Sequence, residues 1–79
     1  MSEYTVSKVL DLKGLPCPMP VVRMSQEIKS VSVGQVIEVH TTDPGSLSDF
    51  PAWAKTTGNE VLETNQGSGV IKIFVKRLK

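Results

Sequence analysis

The chain has 79 residues, of which 39% are hydrophobic and 22% are charged, a composition typical of one small globular domain. Nine Lys and Arg residues against eight Asp and Glu residues give a net charge of +1, which argues against a dedicated nucleic-acid-binding protein. No apolar run approaches the roughly 20 residues of a membrane span, and the first residues lack the features of a signal peptide, so we expect a cytoplasmic protein without a membrane partner.

The first half of this single domain is predicted to contain one strand and one helix. Residues 1–6 are expected to form a flexible tail, and residues 8–12 a strand, because two leucines alternate with a polar residue. After a turn rich in Gly and Pro, apolar side chains recur at helical spacing from Pro18 to Ile28. Pro18 suits the first helical position, and Pro20 lies within the first turn, where no intrahelical hydrogen bond is lost.

The second half is predicted to begin with another strand and helix. Residues 35–41 alternate between apolar and polar side chains, which indicates a strand. Asp43 is expected to be the N-cap of the second helix, and Pro44 its first residue. That helix is predicted to run to about Thr57 and to be kinked or split at Pro51.

Two final strands complete the predicted fold. Residues 60–64 and 70–78 are expected to be joined as a hairpin through Gln66-Gly67-Ser68-Gly69. The element order is then βαβαββ, in which the first two strands are parallel and the hairpin adds an antiparallel pair. We therefore predict an α/β (α+β) two-layer sandwich, with a four-stranded mixed sheet and two helices on one face.

This topology places the only cysteine where ligands bind in many α/β proteins. The carboxyl ends of the first two strands lead into Cys17 and Asp43, and both helices begin at the same edge of the sheet. The partial positive charge of a helix N-terminus is expected to lower the pKa of the Cys17 thiol and to favour the reactive thiolate. Pro16, Pro18 and Pro20 should hold the thiol on a stiff turn.

Two interpretations of Cys17 are open from its type and position. A lone cysteine in a small domain is often a buried and inert apolar side chain. Its place in a proline-rich turn, rather than on an apolar face, favours a functional thiol. One cysteine and one histidine cannot form a structural zinc site, so we expect no metal and no cofactor held by several protein ligands.

The segment around Cys17 resembles the signature of the TusA/SirA sulfur-carrier family. Residues 11–20, DLKGLPCPMP, contain that family's Gly-Leu-x-Cys-Pro-x-Pro pattern, formed here by Gly14, Leu15, Cys17, Pro18 and Pro20. Further along the chain, Asp43-Pro44 and Asp49-Phe50-Pro51 resemble the beginning of the family's second helix. The resemblance implies a persulfide carrier that needs no cofactor.

The resemblance also implies what Cys17 exchanges sulfur with. The donor would be a protein such as a cysteine desulfurase or a rhodanese, and the acceptor a protein such as one of the DsrE type, with the cargo held as a persulfide or a thiosulfonate. Met19, Arg23 and Asp43 are the expected partner contacts. Pro16 and Met19 replace a basic residue and a Glu that are common in the family. From Met19 we hypothesise a branch that serves sulfur oxidation or thiosulfate transfer rather than tRNA thiolation.

Other classes of function remain open from the sequence. One is a small regulatory or RNA- or protein-binding module in which Cys17 is incidental, although near-neutral charge and few aromatic residues argue against RNA. Another is a redox sensor that is reversibly oxidised at Cys17. A turnover enzyme ranks last, because no second catalytic group is evident near the thiol. We therefore expect a sulfurtransferase-type carrier rather than a classical turnover enzyme.

Overall fold

Four strands and two helices follow one another in the predicted order in this computed structural model, which describes residues 5–79. They are β1 (Val6–Asp11), α1 (Met19–Glu27), β2 (Val36–Thr41), α2 (Ser46–Thr57), β3 (Glu60–Gly67) and β4 (Val70–Lys76), with a 3-10 turn, Ile28–Ser30, after α1. No helix among these residues is long and apolar enough to cross a membrane. Of the tail predicted for residues 1–6, Val6 belongs to β1 because it pairs with Val36, and residues 1–4 lie outside the described residues.

The strands form one mixed sheet in the order β1-β2-β4-β3. β1 and β2 are parallel, while β4 is antiparallel to both of its neighbours, β2 and β3. The predicted four-stranded mixed sheet is therefore confirmed. Because parallel strands end at the same edge, the segments that follow β1 and β2 leave the sheet side by side, and these segments contain Cys17 and Asp43.

One face of the sheet packs against both helices, as predicted. Buried side chains alternate with more exposed ones along β4, and the buried set faces the helices. The core joins Leu10, Ile37, Val39, Ile71, Ile73 and Val75 of the strands to Met24, Phe50, Trp53 and Ala54 of the helices. The two helices are also linked directly, because Trp53 Nε1 donates a hydrogen bond to Ser25 Oγ at 2.7 Å.

Helix α1 begins one residue later than predicted. Pro18 is its N-cap, with φ −98° and ψ 15°, and Met19 is the first helical residue. The first full helical hydrogen bond runs from Val22 N to Pro18 O at 3.1 Å. Pro20 is the second helical residue, where it removes no bond.

Helix α2 also begins later, and Asp43 is not its N-cap. The N-cap is Gly45, and no side chain caps the helix. Ser46 N donates to Asp43 O at 3.0 Å, which closes a turn before the helix, and the Asp43 side chain accepts from Gly45 N within that turn at 3.1 Å. The helix is continuous through Pro51, so the predicted split does not occur.

The hairpin between β3 and β4 is tighter than predicted. The ladder continues to the pair Gly67 and Val70, so Gln66 and Gly67 belong to β3. Only Ser68 and Gly69 form the turn, with φ values of 53° and 78°. Positive φ at both central residues is what a two-residue type I′ hairpin turn requires.

Candidate functional site

The turn that carries Cys17 is held by its main chain to the segment around the end of β2. Leu12 N donates to His40 O at 2.7 Å, and Gly14 N donates to Thr42 Oγ1 at 2.9 Å. Gly14 has a φ of +82°, in the left-handed region that favours glycine, and no atom lies within 4 Å of where a Cβ would stand. The backbone conformation, rather than crowding, therefore requires glycine here.

Leu15 and Pro20 anchor the two ends of the segment that contains the thiol. Leu15 N donates to Leu12 O at 3.3 Å, and the Leu15 side chain packs against the core. Pro20 is buried, whereas residues 16–18 are exposed. The peptide bond before Pro18 is cis. The thiol is thus presented to solvent from a turn that is fixed on both sides, so Cys17 is not a buried apolar side chain.

The Cys17 thiol faces two carboxylates that come from the second half of the chain. Cys17 Sγ donates a hydrogen bond to Asp49 Oδ2 at 3.4 Å. Sγ and one oxygen each of Asp43 and Asp49 all lie within 4.8 Å of one another. Solvent-facing carboxylates often lie this close without binding a cation, so the cluster assigns no metal site.

These carboxylates raise the pKa of the Cys17 thiol. The largest cause is the hydrogen bond to Asp49, because only the protonated thiol can donate it. Partial desolvation and the negative charges of Asp49 and Asp43 act in the same direction, since both disfavour a second anion. The lowered pKa expected from the sequence is therefore wrong.

The helix N-termini offer few free N–H groups to a thiolate, because most of these groups are absent or already bonded. In α1, Pro18 and Pro20 have no N–H, and Met19 N donates to Pro16 O at 2.8 Å. In α2, the first four N–H groups all donate to oxygen atoms of the turn at residues 43–45; they belong to Gly45, Ser46, Leu47 and Ser48. Few donors remain for a thiolate at this edge of the sheet.

The other predicted partner contacts fall into two groups. Met19 is 39% exposed and follows the thiol by two residues, and Val22, one turn further along α1, is 39% exposed as well. Arg23 is exposed, and its charge contributes to the lowered pKa of the Glu27 carboxyl. The structure therefore brings Asp43 close to the Cys17 sulfur, while Met19 and Arg23 are exposed residues of α1.

Asp49 is the residue near the thiol to which sequence analysis gave no role. It was noted only as part of the second resemblance, Asp49-Phe50-Pro51. The topology is the feature from which a role for Asp49 can be predicted. Both helices begin at the same edge of the sheet, so a polar residue in the first turns of α2 can face the turn before α1. Which first-turn residue does so depends on where the helix starts, and that start was misplaced.

Among residues 5–79, the thiol lies outside the three main surface cavities. Three surface cavities have volumes of about 470, 340 and 290 Å³, and Cys17 lines none of them. The largest lies between the hairpin turn and the start of α2, with Thr42, Pro44 and Leu47 on one side. Cys17 is instead accessible to a group on the surface of another protein.

Residues 8–77 match the family model described as Sulfurtransferase TusA. The chain belongs to this family. The resemblance inferred from the Cys17 segment is therefore confirmed at the level of the family, which covers β1 to the end of β4.

Individual members of the TusA family are similar over most of this chain. It is 45% identical over 69 residues to YrkF of Bacillus subtilis, named as a candidate sulfur carrier protein, covering 87% of this chain but only 37% of YrkF. It is 44% identical over 68 residues to the sulfur carrier protein TusA of Allochromatium vinosum, covering 86% of this chain and 90% of that protein. The chain thus spans well under half of one relative and nearly all of the other.

A solved structure has the same fold. The crystal structure of the SirA-like protein from Desulfitobacterium hafniense superimposes with a TM-score of 0.78, covering 91% of this chain and 99% of that chain. Its sequence identity is 23%, so this likeness shows the fold alone.

Proposed function

We propose that the chain is a sulfur carrier in which Cys17 accepts sulfane sulfur from a donor protein and passes it to an acceptor protein. The observation that carries this proposal is the exposed thiol of Cys17, held on an anchored turn outside the surface cavities, in a chain of the TusA family. A carrier must expose its sulfur to two different proteins in succession. A thiol at the bottom of a pocket would be inaccessible to another protein's cysteine.

The residues around the thiol have structural roles that suit a carrier. Gly14 supplies the backbone conformation of the turn, Leu15 and Pro20 fix its ends, and Pro18 is the N-cap of α1. None of these side chains is an acid or a base. The turn therefore positions the sulfur, and no turnover chemistry on a small molecule is assigned to it.

The partners we propose are proteins on both sides of the relay. The donor is a cysteine desulfurase or a rhodanese-type protein, and the acceptor is a protein of the DsrE type. Met19 and Val22 are exposed apolar side chains of α1 that a partner would cover. Asp43, close to the sulfur, and Arg23, further along α1, are the other proposed contacts. A free exposed thiol persists in a reducing compartment, so we place the carrier in the cytoplasm.

We also propose that the cargo derives from thiosulfate, in a pathway of sulfur oxidation rather than tRNA thiolation. The support is Met19, an apolar and adaptable side chain beside the thiol at the position where many family members have a Glu. The cargo is then a persulfide or a thiosulfonate on Cys17.

Intact-protein mass spectrometry tests the function directly. The chain is incubated with thiosulfate or polysulfide, alone, with a rhodanese, or with a cysteine desulfurase and cysteine. We expect an added mass of sulfur or of a thiosulfonate that reductant removes and that is absent from Cys17→Ser. Ser25→Ala serves as the matched control, because it changes a side chain in α1 that points to Trp53 and leaves the thiol intact.

Each outcome separates one alternative. An adduct of oxygen or of a mixed disulfide, without added sulfur, would identify a redox sensor. No adduct from any donor would leave a binding module with an incidental cysteine. Loading by the desulfurase but never by thiosulfate or the rhodanese would keep the carrier and overturn the proposed pathway.

A further inference from the structure

We propose that Asp49 sets the protonation state of the Cys17 thiol: its carboxylate accepts the S–H hydrogen bond of the empty carrier and holds the sulfur in the neutral form. This makes Asp49 a positioning residue for sulfur loading. The inference rests on the proposed function for its biological meaning, but the contact itself is a property of the empty chain.

The chemistry of the two groups at this distance gives the direction of the hydrogen bond. Cys17 Sγ and Asp49 Oδ2 are 3.4 Å apart, within the range of a hydrogen bond that involves sulfur. An ionised carboxylate can only accept, so the thiol must be the donor and must be protonated. A thiolate at the same distance would instead repel the carboxylate.

Asp49 has no competing structural task that explains its orientation. The N-cap of α2 is Gly45, so the Asp49 side chain does not cap the helix. Its own N–H donates to Gly45 O at 2.9 Å, like any helical N–H. In the described part of the chain, Cys17 is the donor that the Asp49 carboxylate accepts from.

Asp43 differs from Asp49 although both lie close to the sulfur. Its carboxylate accepts from Gly45 N at 3.1 Å and is thereby held in the turn before α2. It acts on the thiol through its charge alone, whereas Asp49 acts through both a hydrogen bond and a charge. The raised pKa of the thiol is caused first by Asp49, then by partial desolvation and last by the charge of Asp43. Asp49 should therefore have the larger effect.

Loading of sulfur removes this contact. The thiol first loses its proton to solvent, and the thiolate attacks the terminal sulfur of the donor protein's persulfide. A new S–S bond forms at Cys17, the donor's S–S bond breaks, and the donor cysteine leaves with the electron pair as a thiolate, so the transfer needs no oxidant or reductant. The loaded Cys17 Sγ carries no hydrogen, so it has nothing to donate to Asp49. The carboxylate thus stabilises the empty carrier and not the loaded one.

The consequence is a carrier whose empty form reacts slowly with oxidants and disulfides in solution. Oxidation and exchange of a cysteine both proceed through its thiolate. By keeping the thiol neutral, Asp49 suppresses these reactions in free solution. Loading then depends on the time that a docked donor spends beside Cys17.

The test compares three variants that each remove one negative charge: Asp49→Asn, Asp43→Asn and, as the control away from the site, Glu60→Gln at the start of β3. The rate of Cys17 alkylation by iodoacetamide is measured against pH by intact mass, with a chelator in every sample. A peptide of residues 14–20 gives the reference for an unstructured cysteine. Circular dichroism checks that each variant is folded.

We expect the pKa of the thiol to lie above that of the peptide in the natural chain and to fall most in Asp49→Asn. A decrease of one unit in the pKa raises the thiolate fraction about tenfold but lowers the nucleophilicity of the thiolate. For each such unit, alkylation near neutral pH should therefore become about three- to fourfold faster. Asp43→Asn should show a smaller increase, and Glu60→Gln none.

Two results would overturn the inference. One is a pKa in the unsubstituted chain at or below that of the peptide, a measurement that needs no variant to fold. The other is an Asp49→Asn profile that matches the natural chain or the Glu60→Gln control. Neither result depends on sulfur donors. A chain that fails to load sulfur while its alkylation profile shifts as expected would overturn the proposed function and leave the role of Asp49 intact.

Discussion

At the scale of single residues, the site is assembled from groups that are far apart in sequence. Cys17 and Asp49 are separated by 32 residues, and their side chains meet at 3.4 Å. The same holds at the other end of β1, where Lys8 Nζ donates to Glu27 Oε1 at 2.6 Å and to Ser30 Oγ at 2.9 Å. The first contact raises the pKa of the Cys17 thiol, whereas the second lowers the pKa of the Glu27 carboxyl.

The pair of Lys8 and Glu27 predicts a pH dependence of stability. The hydrogen bond and charge of Lys8 lower the pKa of the Glu27 carboxyl, with a smaller contribution from Arg23. A lowered pKa in the folded state means that the pair stabilises the fold above the unfolded value of about 4.3, and that this is lost as pH falls through the folded value. Glu27→Gln should therefore lower the free energy of unfolding near neutral pH and have a shrinking effect in acid.

Urea unfolding at neutral and acid pH measures this difference. Glu60→Gln removes an exposed carboxylate that has no such partner among residues 5–79, and it serves as the control at both pH values. The prediction fails if Glu27→Gln destabilises the chain equally at both. Both side chains of the pair are partly exposed, so we expect a small effect that salt reduces.

Sequence analysis found Cys17 because its signals are local. The prolines, the glycine and the position between a strand and a helix all lie within a few residues of it. The sign of its pKa shift could not be found in the same way, because that sign depends on Asp49 and on which N–H groups remain free. Both are settled only by the packing of α2 beside the turn.

At the scale of elements, α2 contains a proline, the residue type that is least favourable inside a helix. Pro51 lies inside this 12-residue helix and has no N–H to donate to the carbonyl of Leu47. The helix still continues, because Phe50, Trp53 and Ala54 on both sides of it are buried against the sheet. Tertiary packing has outweighed a local signal to stop.

Replacing this proline should strengthen the helix. Pro51→Ala restores one hydrogen bond and relieves the ring's contact with the preceding turn, while it gives the unfolded chain more freedom. Because a proline inside a helix costs about 3 kcal/mol and the lost rigidity offsets about 1 kcal/mol, we expect a gain of about 1–2 kcal/mol in the free energy of unfolding. Thermal and urea unfolding both report it.

Pro44→Ala provides the comparison, since Pro44 lies in the turn before α2 and its substitution restores no helical hydrogen bond. It should leave stability unchanged or slightly reduced. A loss of stability in Pro51→Ala would mean that the shape proline gives to the helix is itself required for packing on the sheet.

The order and type of the elements were predictable, and their ends were less so. Alternation identified β2 and β4 almost to the residue, because one face of each is buried by the helices. β3 was predicted to end at Thr64, but it extends to Gly67 with exposed polar residues on an edge strand. Pairing with β4 holds those residues in the sheet. Because they are polar and exposed, the sequence has no apolar alternation from which this extension of β3 could be predicted.

At the scale of the whole molecule, a thin core holds the sheet and the helices together. Phe50 is completely buried and is the largest of the fully buried side chains. A chain of 79 residues is expected to have a free energy of unfolding of about 4–12 kcal/mol. The loss of one large core side chain is therefore a large fraction of the total.

Phe50→Ala should bring the chain close to unfolding. Truncating a buried phenylalanine costs about 3–5 kcal/mol, because the cavity left behind does not close fully. The midpoint of urea unfolding should fall accordingly, and the near-ultraviolet signal of Trp53, whose ring lies 6.3 Å from that of Phe50, should change with it. Phe74→Ala, at a half-buried position on the face of the sheet opposite to the helices, should cost clearly less. Equal losses would contradict the assignment of the core to the helix-covered face.

The bonds that hold the Cys17 turn leave its outward side chains free to diverge. They join the main chain of Leu12, Gly14 and Leu15 to oxygen atoms of neighbouring residues, and they use no side-chain atom of Pro16 or Met19. Substitution of Met19 can thus alter the surface that a partner protein contacts while these main-chain bonds stay in place. The position of the sulfur and the surface that a partner recognises are therefore set by different atoms of the same segment.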